Sequence, residues 1–287
     1  MKQRTIWFWL AAIAITMAAI IFQRKTGPTY PKKIDFVVDT VDVKVELPRS
    51  HEVDKPLQIS IPALPWEYTA KLYHRPYPLD TTWTEEPPFW PEEGKFVSYL
   101  PEVSQKAAKL EYFIQVENFS SGEVAHFPDT PIVIRYKGSV PAWALIPHII
   151  LIFMALIFSS LSGVMAAYKH EKHKLWGVIT LLFILVGGLI FGPIVQKFAF
   201  DHYWTGFPFG QDLTDNKTLI MFVVWLIAVL INRKGKVPIA NTVAAIFTLA
   251  IYCIPHSLRG SEFNYESGEI VTGFVTHFIN LFAFCNA

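Results

Sequence analysis

The sequence predicts a membrane α-helical bundle of six spans carrying one all-β sandwich domain between its first and second spans. Three observations carry that prediction. Six apolar runs contain no Asp, Glu, Lys or Arg. Charged residues make up only 17% of the chain against 52% apolar, where a soluble protein carries roughly 25% charged. The charge is also uneven: 29 of the 114 residues from 27 to 140 are charged, and the other 173 positions hold only 20.

The first run, Ile6–Phe22, follows Lys2 and Arg4. Its 17 apolar residues exceed a secretory signal core of about 7–15, and no small-residue cleavage site follows Ile20-Ile21-Phe22. Residues 1–26 therefore read as an uncleaved anchor. Residues 27–140 then break into short alternating or β-branched stretches: Ile34–Val38, Val41–Leu47, Leu57–Ile61, Tyr68–Tyr73, Phe96–Leu100, Leu110–Glu117, Val124–Phe127 and Ile132–Tyr136. Strict alternation at Leu110, Tyr112, Ile114 and Val116 marks one buried face. Eight such strands without a helical period predict a sandwich. Within it, Pro76–Glu93 is rich in Pro, Trp and acids. It reads either as an aromatic binding loop or as a rigid loop laid over the domain.

Residues 141–287 hold the other five runs: Ala142–Tyr168, Leu175–Val195, Thr218–Asn232, Pro238–His256 and Ile270–Ala287. A span needs about 20 apolar residues. The run Thr218–Asn232 is short and needs its flanks to cross. Gly187, Gly188 and Gly192 form a small-residue face for close helix packing, and Pro193 is expected to kink the outer end of its span.

Orientation follows from Lys and Arg in the short loops. Lys2, Arg4, Lys169, Lys172, Lys174, Arg233, Lys234 and Lys236 fall on one side with Glu171 the only acid there, whereas the loops Gln196–Lys217 and Ser257–Glu269 hold three basic residues against six acids. Both termini are thus expected in the cytoplasm and residues 27–140 outside it. Arg24 and Lys25 run against the rule and are outvoted. A net charge of +1 without a dominant basic stretch argues against a nucleic-acid partner. Cys253 and Cys285 both lie in apolar runs, so neither a disulfide framework nor a cysteine zinc site is available.

Candidate chemistry is sparse. Asp201, His202, Asp212 and Asp215 in the first outer loop have the donor types of a divalent-metal site. The competing reading makes Asp215 or Asn216 a helix N-cap and Tyr203, Trp204, Phe207 and Phe209 an interfacial aromatic belt. His148, His256 and His277 fall in the outer third of the bilayer, where a pair on facing helices would suit a b-type haem. Each equally suits a neutral ring bonded to a carbonyl. His170 and His173 lie in a basic inner loop and read as a solvated turn. No span carries a carboxylate or a lysine, and there is no Walker loop, Gly-x-Ser-x-Gly or His-Glu-x-x-His.

The segment Lys109–Gly122, Leu-Glu-Tyr-Phe-Ile-Gln-Val-Glu-Asn followed by Phe-Ser-Ser-Gly, resembles the late strand and turn of fibronectin type III and immunoglobulin-like domains. That resemblance implies an immunoglobulin-like sandwich, with Tyr112 packed at the sheet corner and Gly122 turning the chain. Thr26-Gly-Pro-Thr-Tyr-Pro31 and the stretch Tyr203–Thr218 together resemble a family of bacterial multi-pass inner-membrane proteins with the same anchor, outer β-domain and helical bundle. This implies a bacterial plasma-membrane location and brings no activity or site residues with it.

The expected role is non-enzymatic: a docking or scaffold module for a membrane-protein partner or complex in the lipid bilayer. The alternative is a haem- or metal-carrying electron-transfer subunit using His148, His256, His277 and His202. A third is an enzyme on an envelope substrate using Asp201, His202, Asp212 and Glu262.

Overall fold

The computed structural model describes residues 2–38, 41–234, 237–255 and 260–272. The chain forms two compact units, one from Met1–Pro28 and Val140–Ser261, the other from Thr29–Ser139 and Glu262–Val271. The elements run α1 (Lys2–Thr26), β1 (Lys32–Val38), β2 (Val41–Leu47), β3 (Ser50–Glu52), β4 (Leu57–Pro62), β5 (Tyr68–Pro76), β6 (Thr84–Glu85), β7 (Trp90–Glu92), β8 (Lys95–Leu100), β9 (Lys109–Asn118) and β10 (Val124–Lys137). The helices α2 (Ala142–Ala167), α3 (His173–Phe183), α4 (Gly192–Phe200), α5 (Leu213–Lys234) and α6 (Pro238–Cys253) follow, then β11 (Ser261–Asn264) and β12 (Glu269–Thr272).

In the β unit, a five-stranded sheet ordered β3-β10-β9-β5-β6 and a three-stranded sheet ordered β4-β8-β7 accompany the β1-β2 hairpin. Period-two patterning puts Leu57, Ile59 and Ile61 of β4, Val43, Val45 and Leu47 of β2, and Leu110, Tyr112, Ile114 and Val116 of β9 into one shared apolar core. The two expected strands Val124–Phe127 and Ile132–Tyr136 are one strand, β10, whose register against β9 shifts between Phe127 and Ile132. Pro128 and Pro131 fall in that shift, where a missing N–H costs no ladder bond. The Tyr112 hydroxyl donates to Pro48 O at 2.8 Å, holding the corner between β2 and β3. Gly122 takes φ +70 in the β9–β10 turn. The Pro76–Glu93 segment lies over the domain: Phe89 is buried, Trp83 packs on Phe113, and Trp90 stacks on Tyr99.

The unit also takes in a segment from near the other end of the chain. Strands β11 and β12 form a hairpin in which Phe263 N–H donates to Ala107 O at 3.1 Å, Tyr265 Oη donates to Lys109 O at 2.6 Å, and Lys109 pairs with Glu262. Ile270–Thr272, expected to begin the sixth span, are therefore strand. The rest of that expected span, with His277 and Cys285, lies outside the described residues, as does His256.

In the helical unit, four helices are long and apolar enough to cross a membrane: Thr5–Thr26, Ala142–Ala167, His173–Phe200 and Leu213–Arg233. Pro238–Cys253 is apolar but shorter. The third is continuous from α3 through a π-helical stretch, Ile184–Phe191, into α4. Gly187 and Gly188 in that stretch let α2 and α5 approach: an added Cβ would come within 2.6 Å of Leu151 Cβ and 2.6 Å of Thr218 Cγ2, respectively. Trp225, fully buried, donates through Nε1 to Thr248 Oγ1 at 2.9 Å. Asn241 joins three helices, donating through Nδ2 to Ser162 Oγ at 2.9 Å and to His173 O at 3.0 Å, and accepting from Asn232 Nδ2 at 2.9 Å. His173 is thus buried rather than part of a solvated turn, because its backbone carbonyl serves this network.

Candidate functional site

Two regions carry the side chains with potential roles, one in each unit. In the helical unit, the segment 196–217 and Ser261 build a buried polar cluster. α5 begins at Leu213, five residues before the apolar run, because Asp212 caps it: Thr214 N–H donates to Asp212 Oδ1 at 2.8 Å. Asp212 is the N-cap, in place of the expected Asp215 or Asn216. Its Oδ2 accepts from Ser261 N–H at 3.1 Å and Ser261 Oγ at 3.4 Å. Asp215 Oδ2 accepts from Thr205 N–H at 2.6 Å and Thr205 Oγ1 at 3.2 Å, while Gln196 Nε2 donates to Thr205 Oγ1 at 2.5 Å. Gly206 has no room for a side chain, since a Cβ there would lie 2.6 Å from Asp215 Cβ. Lys217 Nζ donates to Ile254 O at 2.7 Å, a cation on the carbonyl end of α6.

The four residues with metal-ligand donor types, Asp201, His202, Asp212 and Asp215, each take part in hydrogen bonds within the chain. Asp212 accepts from Thr214 and Ser261 through its two carboxylate oxygens, and Asp215 accepts from Thr205 through Oδ2. Asp201 ends α4 in the left-handed region at φ 64, with its backbone O accepting from Lys197 Nζ at 2.7 Å. His202 is exposed and bonded through Nδ1 to Phe200 O at 3.1 Å. Among the described residues, no three His, Cys, Asp or Glu side chains gather where a metal ion could sit. The cluster is a clamp on the start of α5. Glu262, grouped with these residues in the enzymatic reading, belongs to the β unit and pairs with Lys109. His148, in α2 next to Pro147, donates through Nδ1 to Gly187 O in the π-helical stretch at 2.8 Å. A carbonyl only accepts, so Nδ1 carries the proton and Nε2 is left as an acceptor.

In the β unit, one end of the five-stranded sheet carries two exposed aromatic residues. Trp66 is 85% exposed and Phe119 66%. Phe119 N–H donates to Glu67 O at 2.8 Å, so the two sit on adjoining backbone. The turn under Phe119 is rigid: Asn118 Oδ1 accepts from Ser120 N–H at 2.8 Å and Ser121 N–H at 3.1 Å, and Gly122 N–H closes on Asn118 O at 2.8 Å. Glu67, Glu117 and Glu123 flank the pair. At the other end of the same strands, Arg135 pairs with Lys109, where the hairpin Glu262–Val271 attaches and shortly before β10 ends. From Glu117 to Lys109 along β9 is roughly 27 Å at about 3.4 Å per residue.

The outer face of this sheet is already covered. Phe113 is stacked on Tyr73 at 5.2 Å and met edge-on by Trp83 at 4.7 Å. Arg75 lies 4.4 Å over Trp83 and is held by Glu111 and Asp80, both at 2.5 Å. Lys71 and the Tyr73 hydroxyl hold the Glu85 carboxyl below its ordinary range. These groups satisfy one another, which leaves Trp66 and Phe119 as the more available aromatics. Neither stood out in the sequence. A Phe in a polar Asn-x-Ser-Ser-Gly turn was the signal that could have found the site.

No protein-family model matches the chain, and no curated protein matches it. Among solved structures, the superoxide reductase (neelaredoxin) from Ignicoccus hospitalis aligns at 13% identity over 37% of this chain and 80% of its own, with a TM-score of 0.22. A variant of that protein aligns at 14% identity over 33% and 78%, with a TM-score of 0.23. Similarity at this level carries neither a shared fold nor a shared chemistry.

Proposed function

We propose that the chain is a multi-pass plasma-membrane protein whose extracytoplasmic, immunoglobulin-like domain docks a membrane-protein partner or complex. The observation that carries docking is the Trp66–Phe119 end of the β unit. Two large aromatics stand in solvent on preorganised turns at one end of the five-stranded sheet. Aromatic anchors on rigid backbone are typical of binding hot spots. Glu67, Glu117 and Glu123 around them suit a partner whose apolar contact is rimmed by basic residues.

Connectivity supports the topology. Thr29–Ser139 and Glu262–Val271 belong to one compact unit, so the chain leaving at Ser139 and returning at Glu262 crosses the bilayer an even number of times. α2, the continuous α3–α4 helix and α5 are long and apolar enough to make three crossings. α6 then supplies the fourth, although its 16 residues rise only about 24 Å. A span that short is accommodated by local thinning of the bilayer. The Lys and Arg bias puts the β unit outside.

Photo-crosslinking tests the docking site. A benzoylphenylalanine at position 66 or 119 of the full chain, irradiated in native membranes, is expected to give one adduct of discrete mass. The same group at position 95 is expected to give none. Absence of the adduct at 66 and 119, or equal yield at 95, overturns the docking reading. The second reading, electron transfer through His148, His256 and His277, draws on one observation. The His148 Nδ1–H bond to Gly187 O leaves Nε2 as the acceptor, the arrangement found in metal-ligating histidines. A reduced-minus-oxidised visible spectrum separates the two: a Soret band lost in His148→Ala supports this reading, and a colourless preparation sinks it.

A further inference from the structure

α2 ends in a Schellman turn with an unusual residue in its key position. His170 N–H donates to Met165 O at 2.8 Å and Lys169 N–H to Ala166 O at 2.9 Å, with Lys169 itself left-handed at φ 54. Glycine normally holds that place, since a side chain there costs about 1 kcal/mol or more. Lys169 thus accepts strain that glycine would avoid. The turn borders an open groove of about 1340 Å³ between α1 and the α2–α3 connection. Ala11 and Val164 make its floor apolar. Trp7, Tyr168, Lys169 and Lys172, all largely exposed, stand around it. Phe8 closes one wall against Tyr168 and His170, at 5.5 and 5.6 Å between ring centroids. Among the described residues, Glu171 is the one acid lining it.

We propose that this groove seats an anionic phospholipid of the cytoplasmic leaflet. Its phosphate would be held by Lys169 and Lys172, and an acyl chain would lie over Phe8, Ala11 and Val164. The inference rests on reading α1 and α2 as spans with this turn inside the cell. A basic pocket beside an apolar wall, at the depth where Trp and Tyr collect, matches the headgroup boundary. Position 169 keeps a lysine against backbone strain because the ammonium is used there.

Native mass spectrometry of the full chain, released from nanodiscs of equal phosphatidylglycerol and phosphatidylcholine, tests this. The phosphatidylglycerol adduct is expected to dominate, with about fivefold contributed by each lysine. Lys172→Gln is expected to remove about fivefold, and so is Lys169→Gly. The glycine variant relieves the strained turn, so a loss there reports lipid binding rather than unfolding. Lys197→Gln, at the opposite end of the third span, is expected to change nothing. Equal retention of the two lipids, or a preference that survives both substitutions, overturns the proposal. So does inorganic phosphate binding to the detergent-solubilised chain with the same lysine dependence but no lipid preference. A chain that does not enter the nanodisc fails the span reading instead, whereas an embedded chain without lipid preference fails only the groove.

Discussion

Tyr112 is wholly buried with its hydroxyl on Pro48 O, Tyr136 is equally buried, and Tyr265 reaches Lys109 O from the β11–β12 hairpin. Burial raises all three phenols, Tyr265 to about 12 and the other two above the ordinary value of 10. The folded state therefore favours the neutral form. Its contribution to stability is complete below pH 10 and is lost as pH rises toward and through the folded values. The thermal midpoint of the full chain in detergent is expected to be flat from neutral pH to about 10 and to fall above it. Tyr112→Phe is expected to cost about 1 kcal/mol at neutral pH through the lost hydrogen bond and to make the alkaline fall shallower. An identical fall in the variant would remove Tyr112 from this account. Tyr112 was visible in the sequence through alternation and through the resemblance to an immunoglobulin-like sheet corner. Its partner Pro48, 64 residues away, was not, because hydrogen bonds between distant segments leave no local period.

Among the elements, the glycines of the continuous helix His173–Phe200 separate packing from propensity. A Cβ at Gly187 would meet Leu151 Cβ at 2.6 Å and the Ile152 backbone N at 3.3 Å, whereas one at Gly192 meets nothing closer than His148 Cε1 at 3.7 Å. Gly187→Ala is expected to push α2 from the π-helical stretch at a cost of about 1–3 kcal/mol. Gly192→Ala is expected to be neutral or stabilising by up to about 1 kcal/mol, since alanine suits helices better. Detergent unfolding of the two variants checks this, and equal midpoints would mean the helices shift freely. The small-residue face was legible in the sequence; which glycine meets which neighbour was not. The fourth run shows the opposite limit. Counting only uncharged residues cut it at Thr218, while α5 begins at Leu213 with Asp215 and Lys217 buried in its first turns. Hydropathy treats a charge as solvated, and only the contacts with Thr205 and Ile254 O make these two at home inside.

For the molecule as a whole, the proposed even number of crossings between Ser139 and Glu262 has a direct readout. In a chain with Cys253 and Cys285 replaced by Ser, cysteines placed at Ser120 and Ser267 are expected to react with an impermeant maleimide from the outside of intact cells. One placed at Glu171 is expected to react only after permeabilisation. Opposite labelling of positions 120 and 267 would mean that α6 does not cross. By itself, the sequence marked four helices as long and apolar enough to cross a membrane, which loops carry the basic residues, and where most strands of the β unit run. Those properties are set by composition and short-range period, since transfer to hydrocarbon and the two-residue pleat act residue by residue. Only the tertiary structure decided that Glu262–Val271 joins the β unit, that Asp212 caps α5 while Asp215 holds Thr205, and that Trp66 and Phe119 share one exposed end. Each depends on segments far apart in the chain meeting, and the charge and hydropathy of either segment alone do not encode that meeting.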